Sequence, residues 1–507
     1  MELKPNVLTA IAIVALVLSA IGAGAGIMAL TTPGPEGPEG PMGDTGPVGE
    51  PGFGFAGLVV AAHDSMDNDN ADFLCDGTDD QVQINEAIAS LPEQGGSVYL
   101  REGNYVLSDS VTIDRSNVTL KGAGAGTMLT IKAGLNGTMD AVQVLDSRKV
   151  TVSDLRVIGN SLSHAEGVMR GVYLSNARDC IVSMLFIEDL RYIGIEMHSS
   201  NDNLLKSNFI RDCVWDGIRS TNSHGNNLEG NNIWNCGEVG VRLIYSDYNQ
   251  VGGNMITDLG YHAILLDTSD LNTINDNRAL RSQADGIYLY ASALNAVSGN
   301  QVLNSGNFGI RMSEDAHQNV VSGNSVTASG LHGIVIDMSD HCSVIGNMVL
   351  ESAWSGIAAT EADHSVISGN KVQLSGYNGI YLSYSNFCTV SGNNIFRSYK
   401  DGINLSTSKD NVIAGNTVSS SSQLAHATYF GIILSTDSDR NLIDGNTIRR
   451  GTDTNRTFIG IYIWGTSCNN NVVINNDLYY SGAGGDYIDD GAGTIYHNNR
   501  LTGGWVA

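Results

Sequence analysis

Hydrophobic and polar residues alternate over short runs in this chain, and the runs return at a fixed interval. "SGNSVTASGLHGIVIDMSDHCSVIGN", residues 322 to 347, begins and ends on a Gly-Asn pair with a Gly-Ile-x-Ile run between. Aligned on that run, the phrase recurs at Gly171, Gly194, Gly217, Gly240, Ala263, Gly286, Gly309, Gly333, Gly356, Gly379 and Gly402, in steps of 23 residues with a single 24. Gly431 and Gly460 continue at steps of 29, which implies short insertions in the last coils. A parallel register runs through Asn208, Asn231, Asn254, Asn277, Asn300, Asn324, Asn347, Asn370, Asn393 and Asn416. Another, five residues earlier, holds Asn203, Asn226, Asn249, Asn272, Asn295 and Asn319, then Cys342, Ser365, Cys388 and Asn411. Alternation at a period of two, broken by Gly, Asn and Ser, predicts two or three short strands per repeat; helices would need longer runs at 3.6. No such repeat buries its apolar face alone, so the repeats must stack as a solenoid. Stacking sets equivalent positions ~4.8 Å apart. An Asn at each turn, taken as left-handed, then bonds its counterparts above and below in a ladder.

Residues 76 to 130 read "DGTDDQVQINEAIASLPEQGGSVYLREGNYVLSDSVTIDRSNVTLKGAGAGTMLT". This stretch resembles the opening segment of the pectate-lyase-like superfamily of right-handed parallel β-helices, where a short helix ("QVQINEAIAS" here) caps the open end of the solenoid. The Gly-Ile and Gly-Asn repeats are similar to the carbohydrate-binding and sugar-hydrolase repeats of that superfamily, including those of NosD-type periplasmic proteins. The resemblance covers about residues 57 to 500 and implies the fold: all-β, a parallel β-helix with ~23-residue coils and a capping helix. It does not fix an activity, because that fold hosts lyases, hydrolases, epimerases, adhesins and tailspikes.

Ahead of the repeats stand two other segments. Residues 7 to 30, "VLTAIAIVALVLSAIGAGAGIMAL", are uncharged and long enough to cross a bilayer as a helix. Lys4 precedes them and the next basic residue is Arg101, which places the N-terminus in the cytoplasm and the bulk outside. The "GAGAG" run would also serve as a cleavage site and release the protein. Residues 34 to 52, "GPEGPEGPMGDTGPVGEPG", place Gly at every third position, as collagen does. That tract is read as a stiff spacer, with a homotrimer as the alternative. The expected organisation is residues 1–30 as anchor or signal, 31–56 as stalk, 57–130 as cap and first coils, and 131–507 as β-helix.

Six of the eight prolines fall between Pro33 and Pro51, so the glycines outside that tract belong to ordered turns. A formal charge of −26 excludes nucleic acid and anionic lipid as partners and suits an extracellular setting. The seven cysteines show no zinc or disulfide spacing; Cys213 and Cys236, one repeat apart, are read as small apolar residues in a packed column.

On each Gly-Ile strand the residues beside the inward Ile face outward: Glu196 and His198, Arg219, Arg242, Asp267, Tyr288 and Tyr290, Arg311 and Asp337. Later coils read blander, with Ala358 and Thr360, Tyr381 and Ser383, Asn404 and Ser406. Two residues before the Gly, a column gathers Tyr192, Trp215, Tyr261, Trp354, Tyr377, Tyr429 and Phe458. Aromatic faces beside Arg and carboxylates suit a polysaccharide or surface glycan, and Tyr192, Trp215, Arg219, Tyr261, Asp267 and Asp337 are the expected binding residues. A glycosidase pair ~5 to 9.5 Å apart is missing from these columns, since Asp267 and Asp337, like Asp216 and Asp285, stand three coils apart. Lyase or epimerase chemistry on a uronate needs a base and a cation, for which Arg242, His262, Asp285, Tyr288 and Arg311 are the candidates. His317, His341 and His364, each next to or near an Asp, are expected to stack on consecutive coils. They are the candidate ligands of a transition metal, and the NosD resemblance implies copper handling. Asp67, Asp69 and Asp72 hint at calcium without the Gly and Glu of an EF-hand loop. No cofactor is fixed by the sequence. Asn117, Asn136, Asn404 and Asn455 lie in glycosylation sequons. Three functions stay open: a carbohydrate-binding surface rod, a uronate lyase or epimerase, and a copper-handling protein.

Overall fold

The computed structural model describes residues 57 to 506, except 136 and 162 to 166. The expected anchor, the stalk and the sequon at Asn136 lie outside the described residues. Among the described residues no helix is long and apolar enough to cross a membrane.

The period-two alternation gives three parallel sheets that share one interior. One holds 16 strands, among them the Gly-Ile strands from Ile195–His198 to Ile432–Ser435; the other two hold 19 and 15. Each coil visits them in turn, as in Ile195–His198, Leu204–Lys206 and Phe209–Arg211, and returns at Ile218–Thr221. Pairing is in register from coil to coil: Ile195 opposes Ile218, and Ile310 opposes Ile334. Inward positions therefore form columns of identical chemistry, such as Val297, Val321, Val344, Ile367, Val390 and Ile413, all fully buried. The helix Gln81–Ala89 closes the first end with Ile84, Ala87 and Ile88. Its preceding Asp80 ties the cap to the sheets by accepting the Val106 N–H at 2.7 Å. Gly57–Ala61 is itself a strand of the 19-stranded sheet.

The Asn ladder is present with one correction. Asn347 Oδ1 accepts both the backbone N–H of Asn324 at 2.9 Å and its Nδ2 at 3.0 Å. Asn347 Nδ2 in turn donates to the Val321 carbonyl at 2.9 Å and to Asn370 Oδ1 at 3.0 Å. The same bonds run from Asn208 to Asn499. The left-handed residue, however, is the one before the Asn: Gly346 has φ +65°, Asp202 57° and Ser207 54°. The Asn side chain must point inward along the turn, and its predecessor makes the reversal.

The Gly of Gly-Ile is required for packing, since a Cβ on Gly333 would lie 2.3 Å from Val349 Cγ1 and 2.6 Å from the Gly356 carbonyl oxygen. Behind it runs a file of buried serines, from Ser282 to Ser421, whose hydroxyls have no hydrogen-bond partner among the described residues. The two features predict opposite outcomes. Asn347→Ala orphans buried groups on two coils and should cost about 3 kcal/mol. Ser352→Ala removes an unpaired hydroxyl and should leave stability unchanged or higher. Thermal unfolding of both variants checks the contrast.

Candidate functional site

The residue just before each Gly of the Gly-Ile strand stands in a column that is buried at Asp216, His262, Asp285, Asn378 and Asp401 and half-buried at Phe308, His332 and Phe430. Where it is Asp, Asn or His, its side chain accepts the N–H of the equivalent residue one coil on. Asp216 Oδ1 takes the Val239 N–H at 3.0 Å, and Asp285 Oδ1 the Phe308 N–H at 3.0 Å. Asp401 Oδ1 takes the Phe430 N–H at 2.8 Å. His262 Nδ1 takes the Asp285 N–H at 3.1 Å, and His332 Nδ1 the Ser355 N–H at 3.1 Å. Imidazole and carboxylate are interchangeable here because each offers a lone pair in the same place. The fold thus accounts for both His262 and Asp285 before any chemistry is asked of them.

Around this column lies an unbroken run of ring and cation contacts. Tyr261 meets His262 at 4.0 Å between ring centroids, and His262 meets Tyr288 at 5.2 Å. Arg311 lies over both Tyr288, at 4.8 Å, and Phe308, at 5.1 Å. Phe308 stacks on His332 at 5.9 Å, His332 stands edge-on to Trp354 at 5.3 Å, and Trp354 reaches Tyr377 at 5.9 Å. Lys400 then sits 3.7 Å over Tyr377 and 5.9 Å from Tyr429. The ribbon spans eight coils, roughly 34 Å at the strand spacing.

A hollow of about 440 Å³ lies at its far end. Trp354, Tyr377, Tyr381 and Tyr429 supply its aromatic part, and Ser355, Asn378, Asn404 and Ser406 its short polar part. Trp354 is 47 % exposed and Tyr377 44 %, so both offer free ring surface. This corrects the expectation that the later coils are bland: the short side chains there are what leaves the hollow open. Lys400, Asp401 and His332 were missed. Lys400 and Asp401 stand in the aromatic and pre-glycine columns, and following the columns through all coils would have found them.

The five candidate catalytic residues converge in part. His262 Nδ1 is 3.4 Å from Asp285 Oδ2, and Tyr288 shares a 2.9 Å hydrogen bond with Ser313. Arg311 pairs with Asp337 at 3.4 Å. Arg242 lies 3.5 Å from Asp216 and 3.8 Å from Glu238. Tyr192, Trp215 and Arg219 form a cluster joined to Arg242 through Asp216, with rings 5.1 Å apart and Arg219 bonded to Tyr192 Oη at 3.1 Å and to Asp216 at 2.6 Å. Asp267 takes a hydrogen bond from Thr268 at 3.1 Å and is in register with Tyr290, off the ribbon.

The three histidines do not form one column. The 24-residue step falls between Ser313 and Asn319, where Glu314 and Asp315 both have left-handed φ, 57° and 65°. That extra residue moves His317 into register with Asp340 and Asp363: His317 Nδ1 accepts the Asp340 N–H at 2.7 Å, and Asp340 Oδ1 the Asp363 N–H at 2.8 Å. His341 and His364 stack on each other at 4.9 Å, and Phe387 continues the stack at 5.0 Å. Among the described residues no group of three His, Cys, Asp or Glu is arranged to hold a metal ion. In the acidic cap loop Asp67 pairs with Arg101 at 3.3 Å and Asp72 accepts the Val59 N–H at 2.7 Å. Cys213 and Cys236 are free and buried.

Burial, then the charges of Arg242 and Arg311, pushes His262 down to about 4. Burial also pushes His332 down to about 4. Burial raises Asp285 and Asp401 to about 6 against the hydrogen bonds they accept. The two kinds oppose each other. The histidines' contribution is present above about pH 6.5 and lost as pH falls towards about 4, because the unfolded chain binds the proton first. The aspartates' contribution is present below about pH 3.8 and lost as pH rises through about 6. Nitrogen-15 NMR should find His262 and His332 neutral, protonated on Nε2, until the pH approaches about 4. A protonated Nδ1 at pH 6 would break the ladder assignment.

The family described as right-handed beta helix region matches residues 140–326 and 244–349. That of the periplasmic copper-binding protein (NosD) matches residues 331–503, and that of rhamnogalacturonase A/epimerase, pectate lyase-like, matches residues 74–164. No curated protein matches the chain by sequence. Among solved structures it is similar to the A-module of the Azotobacter vinelandii mannuronan C-5 epimerase AlgE6, at 17 % identity and a TM-score of 0.36, over 82 % of this chain and 95 % of that one. DFA-IIIase from Arthrobacter chlorophenolicus A6 in complex with GF2 is 12 % identical with a TM-score of 0.40, over 77 % and 94 %. The catalytic unit of the GH87 alpha-1,3-glucanase of Streptomyces thermodiastaticus strain HF3-3 is 18 % identical with a TM-score of 0.36, over 72 % and 65 %. Likenesses this distant say nothing of chemistry. The three in-register parallel sheets give this chain the fold of a right-handed parallel β-helix, and the beta-helix family match covers residues 140–349 of it.

Proposed function

We propose that the protein is an exported rod that binds carbohydrate along the ribbon from Tyr261 to Tyr429. The observation that carries this is the aromatic hollow at Trp354 and Tyr377. Half-exposed rings beside short polar groups and an ammonium offer a pyranose both an apolar face and hydroxyl partners. In this reading residues 7–30 tether or export the chain, and residues 34–52 hold the solenoid off the surface or join three copies.

A second reading, a uronate lyase or epimerase centred on Asp285, Tyr288 and Arg311, is favoured by the carboxyl of Asp285, which is raised to about 6 beside a guanidinium. His262 does not serve as its base, because Nδ1 is already an acceptor within the ladder. The NosD match over residues 331–503 favours copper handling as a third reading, and a copper titration of the full chain decides it.

The full chain should be retained on a polysaccharide column without turnover. The Trp354→Ala, Tyr377→Ala double variant should bind about thirtyfold more weakly, ~2 kcal/mol. New unsaturated ends, or solvent-proton exchange into the glycan, that vanish in Tyr288→Phe would establish the enzyme reading instead.

A further inference from the structure

We infer that the hollow at Trp354 and Tyr377 selects saccharides that carry an anionic group, which Lys400 receives. This rests on the carbohydrate reading and adds the ligand's charge class to it.

The inference begins with how cations are used on this face. Arg170 is neutralised by Asp140 at 2.5 Å and Glu196 at 2.8 Å. Arg219 has Asp216 at 2.6 Å, Arg242 has Asp216 and Glu238, and Arg311 has Asp337. Each of those guanidiniums is matched by a carboxylate that the fold itself supplies. Lys400 is different. Among the described residues its ammonium meets ring faces, Tyr377 at 3.7 Å and Tyr429 at 5.9 Å, and no ion-pair partner. Ring faces hold a cation in place without cancelling its charge.

The neighbouring acid acts on it through charge but makes no ion pair with it. Asp401 is 5 % exposed, and its carboxylate is turned to the Phe430 N–H at 2.8 Å and to Asn404 Nδ2 at 2.8 Å. Both oxygens are used inside the coil. Lys400 thus stands where Tyr or Trp stands on neighbouring coils, in the column of Trp354 and Tyr377, and brings a full positive charge to a site otherwise built of rings and neutral polar groups. In a chain of formal charge −26 the long-range field repels anions, so an anionic ligand needs such a local cation to be held. A carboxylate or a sulfate on the sugar would supply the missing partner, and the sugar ring would lie on Trp354 and Tyr377.

The test is binding of the full chain, followed by tryptophan fluorescence at low ionic strength, to four probes. These are oligogalacturonate, its methyl ester, dextran sulfate and dextran. At least one anionic probe should bind about tenfold tighter than its neutral counterpart. Lys400→Gln should abolish that preference, so that charged and neutral probes bind alike, and Lys400→Arg should keep most of it. Preference for oligogalacturonate identifies a carboxylate as the partner, and preference for dextran sulfate a sulfate. Equal binding of charged and neutral probes, or a preference that survives Lys400→Gln, overturns the inference while the carbohydrate reading stands. Failure of all four to bind removes the reading and this inference with it.

Discussion

A coil of this solenoid changes direction inside the protein, where the amide N–H groups of the turn have no water to bond. Stacking alone does not solve this, because at a reversal the backbone groups of neighbouring coils no longer face each other as they do in the sheets. The Asn side chain solves it by carrying an acceptor and a donor on one short stem: it takes the N–H of one coil and gives its own N–H bonds to the backbone and the side chain of others. Sheet register, the columns and the ribbon all follow from coils held in line in this way.

The same demand shapes the face where ligand binding is proposed. The residue before each Gly-Ile strand faces a buried N–H of the next coil, and Asp, Asn and His meet it equally well. Polar residues that look like a catalytic set in the sequence are therefore in part the fold's own bonding groups. What the backbone does not explain is the outer layer: half-exposed rings, matched guanidiniums and the ammonium of Lys400, which has no ion-pair partner among the described residues.

The fold was legible because both its periodicities are local. Alternation within a strand and the 23-residue return are visible without any long-range knowledge, as was the capping helix. The site was less so. A single extra residue before His317 moved it one column over, and spacing alone could not say on which side of the histidine that residue fell. The hollow was missed because it is made by short side chains: Ser355 and Asn378 are unremarked in a list of residues but decide the depth between Trp354 and Tyr377. The left-handed turn position misled in another way. It holds Tyr248, Leu271 and Phe387 as well as Gly and Asp, so composition does not mark it.

The ladder joins like to like: each Asn bonds an Asn that could equally be its predecessor or its successor. One coil is therefore an interchangeable part, and a whole repeat inserted or deleted leaves every bond with a partner of the same kind. Such a molecule grows by gene-level duplication of a 23-residue unit, and its length changes in increments of ~4.8 Å. A protein built on that rule is a ruler with fixed graduations, and the reach of anything it holds is set by how many graduations it has.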